Sequence, residues 1–480
     1  MEAVSAAWGP RFSEGVACIQ GMRNTFAIGL GALALYFLSA SSCHALASQN
    51  QRRVVFLASP NPALMDDRIA IKATELPPNR QITIRAALRD QRGCWWRSSA
   101  VFVTGRDGSI DLSLAAPVSG TYRGIDAMGL FWSMRPDGPA RTVPAFFSVA
   151  DWFKPIVTEI EAALDGRVLG TSHVIRYYAS PGVRAERFER DGVVGILYRP
   201  GDDRKHPGVI LLGGSEGGFP TPQGAMLASR GYVALALAYF GANGLPAAMQ
   251  RIPIEYFGKA IHSMRQLLCV HGAAISMIGA SRGAEAALIV GSTYPEVNAV
   301  VAASPSHVRW EGATAKMLPG GPAWTYHDKP LPYVPYRIGP TFAARYLWTS
   351  ATGGPLSLRS MFLDSLGRAE NDDVQIPVER IRGPVLLGFG SDDRKWPSPL
   401  MSQRAMDRLR RNRHPYADAH VSYEGAGHWL PADYLPTGGL QGRVTEEIGG
   451  TPIATAAAQR LWWPRVLRFL AEAGSQDGTN

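Results

Sequence analysis

The chain has 480 residues, 46% of them apolar and 19% charged, which is enough for two hydrophobic cores and too apolar for general disorder. Its formal net charge of +9 suits an anionic substrate, an anionic membrane surface or nucleic acid without choosing among them. It carries no zinc knuckle, helix-turn-helix signature or aromatic-basic RNA-binding motif, so nothing promotes nucleic acid as a partner.

At the start, Arg23 precedes an apolar run from Phe26 to Leu38, then small residues and Ala45-Leu46-Ala47 ahead of Ser48. That is the pattern of a signal peptide over residues 1–47. The run is too short for a comfortable membrane span, so the mature chain is expected to have none. Because residues 1–21 are not a usual leading segment, Met22 is an alternative start. A lipoprotein reading through Cys43 lacks the usual leucine in Ala40-Ser41-Ser42. If the segment is not a signal, the protein would be cytoplasmic; cleavage implies a periplasmic or secreted protein. It would also remove Cys18 and Cys43 and leave Cys94 and Cys269, expected as two separate buried thiols. The charge is unchanged by it, because Glu2 and Glu14 cancel Arg11 and Arg23.

Residues 54–180 read as an all-β sandwich. Short alternating segments such as Ile82-Thr83-Ile84-Arg85-Ala86 and Ala100-Val101-Phe102-Val103 are broken by turn residues such as Arg106-Asp107-Gly108. A break at Ser180-Pro181-Gly182 follows. Over residues 192–474 apolar strands alternate with helical segments: Val209–Leu212, Val233–Leu237, Ile275–Ile278, Val300–Ala302 and Val385–Phe389. This predicts an α/β-hydrolase fold, with a mostly parallel sheet flanked by helices. Residues 305–377, rich in Gly, Pro and aromatics, interrupt the rhythm and are expected as a cap or lid. Internal repeats are absent.

Gly279-Ala280-Ser281-Arg282-Gly283 lies between the strand Ile275–Ile278 and the helical run Ala284–Ile289, the strand, turn and helix setting of a nucleophile elbow. Ser281 is therefore the predicted nucleophile, and glycines at 279 and 283 let strand and helix approach. A serine hydroxyl needs a base, and the base needs a carboxylate to hold its tautomer. His428, in Gly425-Ala426-Gly427-His428-Trp429, follows the strand Val421–Tyr423. The acid is Asp393 or its neighbour Asp392, just after Val385–Phe389. The order Ser, acid, His is the one this fold requires. Two amides should hold the oxyanion: that of Arg282, and one from Gly213-Gly214-Ser215-Glu216-Gly217-Gly218, where Ser215 and Glu216 stay open as donors. The glycine cluster lacks Gly-Lys-Ser/Thr and GxGxxG spacing, and there is no HExxH or paired CxxC, so neither a nucleotide cofactor nor a metal is expected.

These residues resemble the acyl-CoA thioesterase and bile acid-CoA:amino acid N-acyltransferase family over nearly all of the mature chain. The resemblance is carried by Asp66-Asp67, Leu76-Pro77-Pro78, Asp111-Leu112-Ser113 and Gly129-Leu130-Phe131-Trp132-Ser133-Met134-Arg135-Pro136. It continues in Ala236–Gly241, Ile254–Phe257, Gly283-Ala284-Glu285, Asp392-Asp393 with Trp396, and Gly427-His428. It implies a β-sandwich ahead of the hydrolase domain and selects Asp393 as the acid. Family members that acylate amino acids tend to carry cysteine as nucleophile and the thioesterases serine, so Ser281 implies hydrolysis of an acyl thioester through an acyl-enzyme. The alternatives are an exported carboxylesterase, an acyl-CoA:amino acid N-acyltransferase and a non-catalytic binding protein. Export would leave few coenzyme A esters within reach. The expected partner is a small acyl thioester or ester; the sequence does not speak to oligomeric state.

Overall fold

The computed structural model describes residues 53–138, 146–149, 151–313, 319–430, 434–439 and 447–476. The signal peptide expected over residues 1–47 lies outside them. Among the described residues no helix is long and apolar enough to cross a membrane.

The first region builds two sheets around one core. A three-stranded antiparallel sheet joins Val55–Ser59, Ala70–Thr74 and Ile110–Asp111. A larger sheet runs Ala63–Leu64, Arg167–Tyr177, Ile156–Leu164, Gln81–Arg89, Trp95–Val103, Ser119–Gly120, with Arg135–Pro136 also on Trp95–Val103. The pair Gln81–Arg89 and Trp95–Val103 is in register from Gln81 opposite Val103 to Arg89 opposite Trp95. Every second residue of both strands is buried, so the period of two read in the sequence is the period of the core. Ile82, Ile84, Trp96 and Phe102 meet Ile71 and Ala73 of the smaller sheet there. The turn between the strands is held by Asp90, whose Oδ1 accepts from the Cys94 amide at 2.9 Å and whose Oδ2 accepts from the Trp96 indole at 3.3 Å.

Two details depart from expectation. Gly129–Trp132 is a turn of helix inside the sandwich core, where Gly129 lies so close to Tyr122 that an added Cβ would stand 2.2 Å from its ring. Cys94 and Cys269 are free, as expected, but half-buried instead of buried; burial still pushes both thiols up.

The second region is an eight-stranded sheet: β1 (Arg184–Arg190), β2 (Val193–Arg199), β3 (His206–Leu212), β4 (Val233–Ala238), β5 (Val270–Ala280), β6 (Val297–Ala303), β7 (Val385–Gly390) and β8 (Ala419–Tyr423), in the order β1-β2-β4-β3-β5-β6-β7-β8. From β4 to β8 all neighbours are parallel, and β1 and β2 close the edge antiparallel. Strands covered on both faces read as unbroken apolar runs, as in the fully buried Val-Ala-Leu-Ala-Leu-Ala of β4. Side chains alternate between two cores: Ile210 and Leu212 of β3 face the helices α2 (Ile254–Arg265), α3 (Arg282–Thr293) and α6 (Ser398–Arg411), whereas Val209 and Leu211 face α1 (Thr221–Ser229) and α7 (Pro452–Gln476).

The segment expected as a cap holds short strands and the helices α4 (Pro340–Thr352) and α5 (Arg359–Ala369). Its own small core gathers Val308, Trp310, Val334, Phe362, Leu366 and Val374 onto Trp396 and Met401.

Candidate active site

The chemistry-bearing residues sit where a parallel sheet presents loops, beyond the carboxyl ends of its strands. Ser281 stands between β5 and α3 at φ 55° and ψ −121°, a conformation that a residue with a side chain avoids unless its surroundings impose it. Here the imposing contacts are visible. The Ser281 amide donates to the Ala303 carbonyl at 2.9 Å. A Cβ on Gly279 would stand 2.1 Å from the Gly283 carbonyl oxygen, and one on Gly283 would stand 2.3 Å from the oxygen of Gly213. Strand, elbow and helix close up backbone to backbone, which only glycine allows.

His428 follows β8 on a loop held at both ends of its peptide. Its amide donates to the Ile448 carbonyl at 2.8 Å, and its carbonyl accepts from the Ser304 hydroxyl at 2.7 Å. The ring Nε2 lies 3.0 Å from Ser281 Oγ and Nδ1 lies 2.8 Å from Asp393 Oδ2. With Nδ1–H donating to the carboxylate, Nε2 is left to accept from the serine hydroxyl. Asp393 is fully buried, and its charge is met by further donors: the Ser398 hydroxyl at 2.5 Å on Oδ2, and the amides of Lys395 and Trp396 at 3.0 and 3.2 Å on Oδ1. Asp392 points elsewhere. It accepts from Arg394 Nε at 2.8 Å and from the Gly450 amide at 3.0 Å, and burial, which would raise its carboxyl, is outweighed by Arg394 and Gly450, which hold it below the usual range. Sequence reasoning missed Ser398 and Ser304; neither belongs to a motif, and only the fold brings them to the site.

The glycine-rich loop after β3 packs directly on the elbow, since a Cβ on Gly214 would touch Ser281 Cβ at 3.4 Å. Three of its amides are engaged: Gly214 with Glu216 Oε1 at 2.8 Å, Gly217 with the Gly214 carbonyl at 3.4 Å, and Gly218 with the Phe240 carbonyl at 3.1 Å. Among the described residues the amides of Ser215 and Glu216 have no acceptor. The Arg282 amide, first in α3, has none inside its helix by geometry and lies at the positive end of the helix dipole.

The Arg282 side chain turns the other way, into the core. Its guanidinium lies 3.1 Å from Glu285 Oε2 and donates at 3.3 Å to the Trp310 carbonyl and at 3.3 Å to Tyr336. Glu285 Oε1 accepts from the Trp310 amide at 3.0 Å and the Trp324 indole at 2.7 Å. Burial pushes the Glu285 carboxyl up, against the pull of Arg282. Trp310 is thus gripped through both its N–H and its C=O. On the other flank, the Trp396 and His428 rings stand nearly perpendicular, 5.7 Å between centroids.

Against known families, residues 66–189 match the acyl-CoA thioester hydrolase/BAAT N-terminal region, and residues 252–476 match the BAAT/acyl-CoA thioester hydrolase C-terminal region. The chain is 28% identical over 443 residues to mouse acyl-coenzyme A amino acid N-acyltransferase 1, covering 89% of this chain and 99% of that one. Mouse peroxisomal succinyl-coenzyme A thioesterase is 29% identical over 426 residues, 85% and 93% of the two chains. Human acyl-coenzyme A thioesterase 1 is 28% identical over 428 residues, 86% and 95%. Among solved structures, a Mycobacterium tuberculosis puromycin-hydrolyzing peptidase covers 87% of this chain and 68% of its own, at 14% identity and a TM-score of 0.40. With both of its regions matched in order, this chain belongs to the acyl-CoA thioester hydrolase/BAAT family.

Proposed function

We propose that the protein hydrolyses an acyl-coenzyme A thioester through an acyl-enzyme on Ser281. The observation that carries this reading is the aligned chain of Ser281 Oγ, the His428 ring and buried Asp393, at 3.0 and 2.8 Å, in a member of this family. His428 takes the hydroxyl proton as Ser281 Oγ bonds to the thioester carbonyl carbon. The amide of Arg282, with that of Ser215 or Glu216, holds the oxyanion. The C–S bond then breaks, His428 returns the proton to the departing sulfur, and Ser281 carries an oxygen ester. Water, deprotonated by the same His428, attacks that ester, and His428 returns the proton to Ser281 Oγ as the ester C–O bond breaks and the acid leaves.

The serine favours hydrolysis over amide synthesis, because an oxygen ester is open to water whereas a thioester on cysteine is more readily intercepted by an amine. Ser281→Ala should lower acyl-coenzyme A turnover about a million-fold. A purified variant that cleaves acyl-coenzyme A as fast as wild type would sink the assignment.

The residue pattern over 1–47 favours a second reading, an exported carboxylesterase. It is tested by sequencing the mature N-terminus from fractionated cells and comparing short p-nitrophenyl esters with acyl-coenzyme A. Turnover of the esters alone, in an exported protein, would replace the first reading with the second.

A further inference from the structure

The loop after β3 brings a carboxylate to the nucleophile. Glu216 Oε1 accepts from the Gly214 amide at 2.8 Å. The position an added Gly214 Cβ would take lies 2.8 Å from Glu216 Oε2 and 3.4 Å from Ser281 Cβ. The two side chains therefore stand within the sum of those distances. Among the described residues Glu216 has no ion pair, and the Arg282 guanidinium, on the residue after Ser281, is buried against Glu285, 3.1 Å away. A carboxylate with no ion-pair partner among the described residues thus stands beside Ser281, in a protein whose net charge is +9.

The substrate feels that charge unequally along its length. The carbonyl carbon must reach Ser281 Oγ with its oxygen toward the loop amides, so the atoms within a few bonds of it, on the acyl side and on the leaving-group side, come within reach of Glu216. The near end of a coenzyme A leaving group is the neutral pantetheine arm, whose phosphates are remote. We propose that Glu216 is a specificity-determining residue that selects acyl groups uncharged near the thioester and turns away those carrying a carboxylate within a few bonds of it. This rests on Ser281 being the nucleophile. Coulomb repulsion between two unit charges about 6 Å apart, at a dielectric between those of water and protein surface, amounts to about tenfold in rate.

Glutamine at 216 keeps an acceptor for the Gly214 amide and removes only the charge, so the loop is preserved and the ratio between substrates is the readout. Wild type should prefer pentanoyl-coenzyme A to succinyl-coenzyme A, whose acyl chain is of similar length, in kcat/KM. Glu216→Gln should raise the succinyl-to-pentanoyl ratio about tenfold, Glu216→Lys should raise it further, and added salt should narrow the wild-type gap. The same ratio measured on ethyl hydrogen succinate against ethyl pentanoate separates the two readings. If wild type cleaves these esters and no coenzyme A ester, the thioesterase assignment fails while the role of Glu216 is still decided. A ratio that changes by less than about threefold in both variants, on whichever substrate pair is turned over, overturns the proposal.

Discussion

Asp393 uses its two oxygens differently. Oδ2 faces His428 and the Ser398 hydroxyl, and Oδ1 is tied to the amides of Lys395 and Trp396, so the carboxylate cannot turn without breaking several bonds. Asp393→Asn would present an amide that donates where the ring must also donate, favouring the wrong tautomer. kcat should fall about ten-thousand-fold with little change in KM. Asp392→Asn should cost less than about tenfold, since its carboxylate is bonded to Arg394 and the Gly450 amide and not to His428. Steady-state kinetics on the two variants decides between them; equal losses would contradict the geometry. That Ser281 and His428 meet was legible in the sequence because motif and order constrain them. The choice of Asp393 over Asp392 needed the family resemblance, since two adjacent aspartates have the same composition and spacing and differ only in the direction a turn gives them. The folded-back side chain of Glu216 had no sequence signal.

Strands were easier to read than the segment between them. β4 and β7 are apolar at nearly every position because both faces are covered, whereas residues 305–377 are held by contacts distant in sequence. Trp310 is fixed by Arg282 and Glu285, and α4 is tied by Arg345 to Glu447, which also pairs with Arg394. Another such anchor has a pH signature. His307 is buried, with Nε2 2.9 Å from Glu370, and Glu370 also pairs with Arg404. Burial first, and Arg404 second, push its pKa from the ordinary 6.5 down to about 3. Between those values the unfolded chain takes up a proton that the folded chain refuses, so stability is lost as pH falls from 6.5 toward 3. Within the window the loss is about 1.4 kcal/mol per pH unit. His307→Gln, which keeps a donor for Glu370 but does not titrate, should flatten the slope of melting temperature against pH between 6 and 4; a slope identical to wild type would count against this account.

At the scale of the molecule, the sandwich and the hydrolase sheet share groups that neither could satisfy alone. Arg230, at the end of α1, reaches Asp66 at 2.9 Å and Asp67 at 2.6 Å, and Asp66 also accepts from the Trp463 indole at 2.9 Å. Buried Arg176 donates to the Tyr434 carbonyl at 2.9 Å and lies over the Phe131 ring at 4.6 Å. Tyr434 and Ala456 complete the sandwich core itself. Asp66→Ala should therefore destabilise the whole chain by about 2–4 kcal/mol, and a single calorimetric transition moved to lower temperature is the expected record. Two separate transitions, only one of them shifted, would show that the halves melt independently.

The elbow has a consequence for how such a chain drifts. Gly279 and Gly283 are demanded by backbone packing, with an added Cβ 2.1 Å from one carbonyl oxygen and 2.3 Å from another, whatever residue stands between them. A descendant that had abandoned catalysis but still needed to fold would keep both glycines and be free to change the serine. Within this motif, then, the glycines answer to architecture, and packing leaves the identity of residue 281 to be set by other demands.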